Sequence, residues 1–162
     1  MEEKFDALAA HKKFAVQCFN GTWELVDKAD RTQDDIDKMI HTAHASRYHW
    51  GEVVAAGTEK TGTINLERGD WQISMVYAIS GMSESALYHA KRCLEICQKN
   101  KIGDFDIAFA YEAMARGHAI AGKTKEAKKY IDLAKEAGNA IKEKGDRDYF
   151  FSQLKTVPGH KD

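Results

Sequence analysis

Residues 62–81, GTINLERGDWQISMVYAISG, and residues 103–122, GDFDIAFAYEAMARGHAIAG, decide the fold, because they are two copies of one pattern 41 positions apart. In each copy a glycine is followed by a residue that can cap a helix, and an apolar-periodic segment then runs about 18 residues to a second glycine. The positions that the offset matches are Gly62 and Gly103, Thr63 and Asp104, Ile73 and Met114, Tyr77 and His118, Gly81 and Gly122, Ala86 and Ala127, Ala90 and Ile131, and Cys93 and Ala134. The pattern predicts one helical hairpin written twice.

The second helix of each hairpin is predicted to follow the inner glycine. Gly81 and Gly122 can adopt the left-handed conformation that closes a helix, and Ser83 and Thr124 can open the next one. Residues at 3/4 spacing then line one face of this helix: Leu87, Ala90, Leu94 and Cys97 in the first copy, and Ala127, Ile131, Ala134 and Ala137 in the second. Small residues on that face let two helix axes approach closely. The chain has one proline, Pro158, which lies near its end. Because proline disrupts helix interiors, its absence from the rest of the chain also favours a nearly all-helical fold.

This arrangement resembles the tetratricopeptide repeat. The residues that carry the resemblance are Tyr111, Met114, Ala115, His118, Gly122, Ala127, Ile131 and Ala134 in the second copy, and Asp70 or Trp71, Ile73, Ser74, Tyr77, Gly81, Ala86, Ala90 and Cys93 in the first. The period is longer than the usual length of about 34 residues, and the proline that often ends a repeat is missing from both copies. The resemblance implies an all-α fold of about seven helices, in which α-α hairpin repeats form a right-handed superhelical stack.

The resemblance also implies a ligand-binding groove, because the first helix of such repeats lines the concave face that holds a ligand. The groove residues implied on these helices are Arg68, Trp71, Met75, Phe109, Glu112 and Arg116. Guanidinium groups suit a peptide with an acidic group or a small anionic molecule, since they pair bidentately with carboxylate and phosphate. Two other interpretations stay open: Glu112 and Arg116 as an ordinary surface ion pair, and Trp71 as a core residue.

The chain is predicted to be a single helical domain over residues 1–162. Its predicted parts are an N-terminal helical hairpin at 1–57, the first repeat at 62–102, the second repeat at 103–145 and a closing helix at 146–157. The closing helix covers the last apolar face of the stack. We expect a loop at GTEKTG, from Gly57 to Gly62, and we expect Gly145 to end the second repeat and Asp146 to cap the closing helix.

Composition excludes several classes of protein. The chain has 24 Lys and Arg against 25 Asp and Glu, so no nucleic-acid partner is expected. No segment approaches the roughly 20 apolar residues of a membrane span, and the charged start lacks the apolar run of a signal peptide. We therefore expect no membrane partner and a cytoplasmic location. Cys18, Cys93 and Cys97 are expected to be reduced thiols, although the last two, at i and i+4, can also supply two metal ligands.

Residues 2–28 are predicted to form one long helix. Its apolar stripe consists of Phe5, Leu8, Val16, Phe19, Trp23 and Val26. The stripe continues through Asn20-Gly21, so a break there would lose the helical phase, although a glycine in a helix interior costs about 1 kcal/mol relative to alanine. We interpret the stripe as core, with a homodimer through residues 2–28 as the alternative.

A second helix is predicted to begin after a cap at Thr32 and to run to about Ala56, with Asp34 and Asp35 in the turn where the helix dipole favours negative charge. Its apolar side consists of Ile36, Met39, Ile40, Ala43, Trp50 and Val54. Its opposite side carries Asp37, His41, His44, Tyr48 and Glu52.

Three interpretations of this polar side stay open. It is a solvated face, a binding groove that looks across at the first helices of the repeats, or a metal or acid/base site. In the last case His41 and His44 reach one ion, Asp37 or Glu52 completes or orients the site, and Tyr48 donates a proton. His49 is left out of this set, because it lies about 140° round the helix from His44.

The sequence contains no motif that names a reaction. The leading hypothesis is a non-enzymatic binding module, without a cofactor, that holds a peptide or protein partner in a groove between the second helix and the first helices of the two repeats. One alternative is a metal-dependent or acid/base enzyme, or a small-molecule-binding protein, that uses the His41 and His44 face. The other is a self-associating structural subunit. The segment HASRYHW, residues 44–50, together with the repeats, also looks like an uncharacterised bacterial family, which adds nothing about chemistry.

Overall fold

The computed structural model describes residues 5–57 and 62–161. Within these ranges the chain forms seven α-helices and no strand, which confirms the all-α prediction. The helices are α1 (Ala7–Val26), α2 (Gln33–Ala55), α3 (Gly62–Ile79), α4 (Ser83–Asn100), α5 (Asp104–Ile120), α6 (Thr124–Asn139) and α7 (Lys144–Leu154). Most of the loop predicted at GTEKTG, residues 58–61, lies outside the described residues. The chain divides into two compact units, Met1–Gly69 and Asp70–Asp162.

The two long helices of the first unit begin at side-chain caps. The Asp6 carboxylate accepts a hydrogen bond from the Ala9 N–H, and α1 then runs without a break through Asn20-Gly21, as predicted. Thr32 caps α2 as predicted, and the cap is reciprocal: its hydroxyl accepts from the Asp35 N–H while the Asp35 carboxylate accepts from the Thr32 N–H. Hydrogen bonds from the Lys28 ammonium and the Thr32 backbone lower the pKa of Asp35 to about 2.

Polar side chains join α1 to α2. Three contacts, each of 2.8 Å, form what we call the polar ladder: the Ser46 hydroxyl donates to the Ala15 carbonyl, the Thr22 and Thr42 hydroxyls bond to each other, and the Nδ1 atoms of His11 and His49 face each other. Because the side chains at the centre of this contact are small, the two helices approach closely. Each polar group buried there has a partner, as burial requires.

The apolar stripe of α1 is turned roughly 70° away from this contact. The fully buried residues of α1 are Ala15 and Thr22, whereas the side chain of Phe5 is 79% exposed and that of Val16 is 43% exposed. The prediction that the whole stripe is core is therefore wrong for Phe5 and Val16. Hydrogen bonding and close approach, rather than the bulk of the side chains, decide which face of α1 meets α2.

The turns of the second unit repeat at the offset seen in the sequence. Gly81 and Gly122 take φ angles of 73° and 71°, in the left-handed region that glycine tolerates, which confirms that prediction. The residue after each glycine donates its N–H to the carbonyl five positions earlier, at 2.9 Å in both turns. The two turns therefore satisfy the ends of α3 and α5 with the same hydrogen-bond pattern.

Ring stacking repeats at the same offset. Tyr77 stacks on His89 with ring centroids 5.9 Å apart, and His118 stacks on Tyr130 with centroids 5.4 Å apart. The interplanar angles are 19° and 11°. Tyrosine and histidine have exchanged positions between the copies while the stacked geometry is kept, so the repeat is one of side-chain packing as well as of backbone.

Four predicted helix ends are wrong in the second unit. Asp104 does not cap α5, since it is the first residue of that helix and its carboxylate accepts from the Lys142 N–H instead. The helix that follows ends at Asn139, well before Gly145. The closing helix starts at Lys144 rather than 146 and ends at Leu154 rather than 157, and its cap is Glu143, whose carboxylate accepts from the Asp146 N–H.

The core of the second unit includes the contact of α6 with α7. Phe150 of α7 is fully buried and packs edge to face against Phe109 of α5, with ring centroids 5.0 Å apart. Gly138 of α6 lies directly against this ring, where a Cβ would come within 2.3 Å of Phe150 Cε1. The glycine therefore lets α6 reach a large buried side chain.

Gly138→Ala is expected to lower the free energy of unfolding by about 1–3 kcal/mol, because the added methyl group overpacks a buried ring. Gly21→Ala is the matched control, since this glycine also lies inside a helix but a Cβ there meets nothing within 4 Å. Helix propensity alone then predicts a gain of up to about 1 kcal/mol for the control. Urea denaturation followed by circular dichroism measures both variants, and equal stabilities would contradict the close contact of α6 with α7.

Candidate functional site

The predicted site residues lie in both units. In the first unit, Asp37, His41, Tyr48, Glu52 and Arg68 are exposed and His44 is half-buried. In the second unit, Met75, Phe109 and Glu112 are buried, while Trp71 and Arg116 are half-buried. The Trp71 ring packs edge to face on Phe109 at 5.2 Å, so the open alternative of a core role suits Trp71. Phe109 and Glu112 offer a ligand almost no surface.

A small pocket in the first unit is lined by residues of α1, of α2 and of the part of α3 that belongs to this unit. It has a volume of about 130 Å³ and is lined by Val16, Phe19, Asn20, Trp50, Asn65 and Arg68. We call it the Arg68 pocket. Its apolar walls include Val16 and Phe19, which belong to the stripe that α1 turns away from α2. Two amides and one guanidinium supply its polar groups.

The packing of α3 on α2 brings two of these polar groups to the pocket. Gly69 is buried against the stem of Arg47, and a Cβ at this position would come within 2.7 Å of Arg47 Cδ. Because glycine has no side chain, Arg47 can lie across the start of α3. Asn65 and Arg68, on a neighbouring face of α3, then line the pocket.

Glu112 and Arg116 form a buried ion pair, so the interpretation of an ordinary surface pair is wrong. Glu112 is fully buried, and Arg116 donates from both Nε and Nη2 to its Oε1. Arg116 also donates to the Thr156 hydroxyl at 2.7 Å and to the Gln153 carbonyl at 3.3 Å. The pair thereby fastens the end of α7 to α5, and its guanidinium is already engaged.

The electrostatics of this pair depend on Arg116. Burial raises the pKa of Glu112, and the neighbouring guanidinium opposes that shift. The second carboxylate oxygen, Oε2, is buried and has no hydrogen-bond partner among the residues that the structure describes. The Arg116 guanidinium is therefore the neighbouring group that favours the charged form of this carboxylate, against the effect of burial. We therefore assign Glu112 and Arg116 a structural role.

A larger cavity lies between α6 and the segment after α7. Its volume is about 540 Å³, and its lining includes Ala127 and Ile131 on the floor and Lys128, Lys135 and Lys161 at the rim. Lys128 is paired with Asp132 at 3.0 Å. Sequence reasoning missed this cavity, because the segment that forms one wall follows the last helix and has no periodic pattern.

Two histidine contacts were also missed. The first is the His11–His49 contact of the polar ladder. The second joins His89 Nδ1 to the largely buried Asp70 carboxylate at 2.9 Å, and such a carboxylate fixes the orientation of an imidazole. The 41-residue offset contained a signal for the second contact, because it places the charged Asp70 of the first copy at the position that Tyr111 occupies in the second.

Comparison of the chain with protein families, with curated proteins and with solved structures finds no match. No structural neighbour therefore confirms the tetratricopeptide-like arrangement, and it stays a prediction, as does the likeness to a bacterial family. All three cysteines are thiols, half-buried at Cys18 and buried at Cys93 and Cys97. Across residues 5–57 and 62–161, no helix combines the length and the apolar character that crossing a membrane demands.

Arg116→Met is expected to lower the free energy of unfolding by about 3–5 kcal/mol at neutral pH, because it leaves Glu112 as an uncompensated buried charge. A carboxyl whose pKa is raised by folding loses stability as the pH rises above its unfolded value, and this variant lacks the cation that opposes the shift. The difference from the parent protein should therefore shrink as the pH is lowered from about 8 to about 5. Urea denaturation at several pH values measures it.

The control for this variant removes both charges. Glu112→Leu combined with Arg116→Met is expected to recover most of the lost stability and to show no such pH dependence, because a well-packed apolar pair often replaces a buried ion pair without loss. A single variant that is equally destabilised at every pH would contradict an ionised buried pair.

Proposed function

We propose that this protein is a non-enzymatic binding module that anchors a peptide or protein partner through an acidic group held in the Arg68 pocket. The observation that carries the proposal is an exposed arginine that lines a pocket formed by three helices, together with two aromatic residues. Arginine can grip a carboxylate bidentately, and the rings of Phe19 and Trp50 can pack on an adjoining apolar group.

The size of the pocket favours a peptide over a small-molecule cofactor. Pockets that enclose small ligands usually measure about 300–1,000 Å³. A volume of about 130 Å³ suits one side chain or a terminal carboxylate. The rest of a peptide then lies along the exposed part of the apolar stripe of α1. Interfaces of this kind are often dominated by one anchor that fills a pocket.

The fold that we propose for this module is a tetratricopeptide-like stack of extended hairpins. Support comes from the turns after α3 and α5 and from the stacked pairs Tyr77–His89 and His118–Tyr130, which repeat at one offset. The proposed groove contains fewer residues than the groove predicted from the sequence. Phe109, Glu112 and Arg116 are left out, because they are buried or already engaged.

A second candidate function is self-association through α1, since the Phe5 side chain is 79% exposed and that of Phe14 is 46% exposed. An apolar surface on a terminal helix can be covered by a second copy of the chain. Light scattering is expected to report a dimer in this case, and Phe14→Ser should return it to a monomer. A parent protein that is already monomeric would remove this candidate.

Arg68→Ala is expected to weaken binding of an acidic peptide by about tenfold or more, because a hydrogen bond to a charged group contributes roughly 1.5–3 kcal/mol. The peptides are selected from a random displayed library on the immobilised protein, and their dissociation constants are measured by fluorescence anisotropy. Arg92→Ala is the matched control, since Arg92 is an exposed arginine of α4 that pairs with Glu95 and does not line the pocket.

The selected peptides test the chemistry of the anchor. We expect enrichment of an acidic side chain or a free carboxylate next to an apolar residue. Peptides without an acidic group, or equal affinities for the Arg68→Ala and Arg92→Ala variants, would contradict the proposal. Arg68→Lys separates bidentate pairing from simple charge attraction, because only the guanidinium presents two parallel donors.

A further inference from the structure

The histidine contact of the polar ladder differs in kind from the other two. The Nδ1 atoms of His11 and His49 are 2.8 Å apart, and the ring centroids are 5.0 Å apart. Two imidazoles can share a hydrogen bond only when one nitrogen carries the proton and the other accepts it. In this contact, therefore, the Nδ1 lone pair of one histidine points directly at the Nδ1 atom of the histidine on the other helix.

The surroundings keep this pair partly dry. Both histidines are half-buried, and the rings of Phe14 and Tyr48 lie 5.6 Å and 5.4 Å from the His49 ring. Burial lowers the pKa of His49, the charge of His11 lowers it further, and the Glu52 carboxylate opposes the shift. A neutral imidazole is the form that ligates metals.

We propose that His11 and His49 bind a divalent transition-metal ion such as Zn²⁺ or Ni²⁺ through their Nδ1 atoms. The ion takes the place of the shared proton between the rings. Glu52 lies three residues beyond His49 and shares that face of α2, so a change of its side-chain rotamer can bring its carboxylate to the ion as a third ligand. Water completes the coordination.

The two histidines need little rearrangement to bind one ion. Zinc–nitrogen bonds measure about 2.0–2.1 Å, so two nitrogens on a tetrahedral ion lie about 3.4 Å apart. The two Nδ1 atoms therefore need to separate by about 0.6 Å, which small side-chain rotations allow. The two ligands come from different helices, so the ion would also tie α1 to α2. Neither histidine lines the Arg68 pocket, and the metal site stands independently of the proposed binding function.

This site differs from the one that the sequence suggested on the polar side of α2. His41 is exposed, and it takes no part in the polar ladder. The observed juxtaposition pairs a histidine of α2 with one of α1 instead. Sequence spacing within α2 alone does not contain this pair, because His11 is 38 residues away from His49.

Isothermal titration of metal-stripped full-length protein with Zn²⁺ and with Ni²⁺ tests the proposal. We expect one ion per chain, and we expect His11→Ala and His49→Ala each to weaken binding by about tenfold or more, since loss of even an outer partner of a metal ligand costs about 10–100-fold. His41→Ala is the matched control on the same helix and should bind as the parent does. Glu52→Gln should give a smaller loss than either histidine variant.

A measurement on the unaltered protein guards against variants that fail to fold. Imidazole ¹H–¹⁵N spectra should show the His11 and His49 resonances shifting on addition of Zn²⁺ while those of His118 and His160 stay in place. Absence of binding by the parent protein would overturn the proposal. Equal losses in the His41→Ala and His11→Ala variants, or shifts confined to His41 and His44, would overturn it in favour of the polar side of α2.

Discussion

Close approach of α1 and α2 is the constraint on which the first unit depends. Hydroxyl and imidazole groups bridge the two helices, and the small side chain of Ala15 allows the short distance. Helices that meet through small polar residues cannot at the same time bury a stripe of large apolar ones. Val16 and Phe19 consequently face elsewhere and become walls of the Arg68 pocket. One packing choice thus produces both the pocket and the histidine pair.

The second unit contains the same packing geometry twice, formed by different residues. The stacked rings at 77 and 89 and at 118 and 130 show that geometry, rather than residue identity, is what the two copies share. At positions where the two copies carry different charged residues, the polar contacts that these residues make also differ. The first copy places a buried carboxylate on His89, and the second places a buried ion pair on the end of α7. Such polar contacts in a low-dielectric interior specify one arrangement, because each loses its partner if the helices shift.

Prediction from sequence succeeded where the signal was local. Helix existence followed from apolar periodicity, and the turns followed from Gly81 and Gly122, whose left-handed conformation is a property of the glycine itself. It failed at helix ends such as Asp104, where a carboxylate of one helix serves the backbone of another segment. The candidate site was foreseen only in part. Arg68 lines a pocket, whereas Phe109 is core and the partner of His49 comes from another helix.

The sequence by itself therefore determined the all-α class, the repeated hairpin and the positions of its glycine turns. These are set by interactions between residues a few positions apart, which the order of the residues contains. Only the tertiary structure decided which face of α1 is buried, which charges are engaged and which histidines meet. Each of these depends on residues brought together from distant parts of the chain, and the rotation of a helix about its axis is chosen by the sum of its contacts rather than by its own pattern.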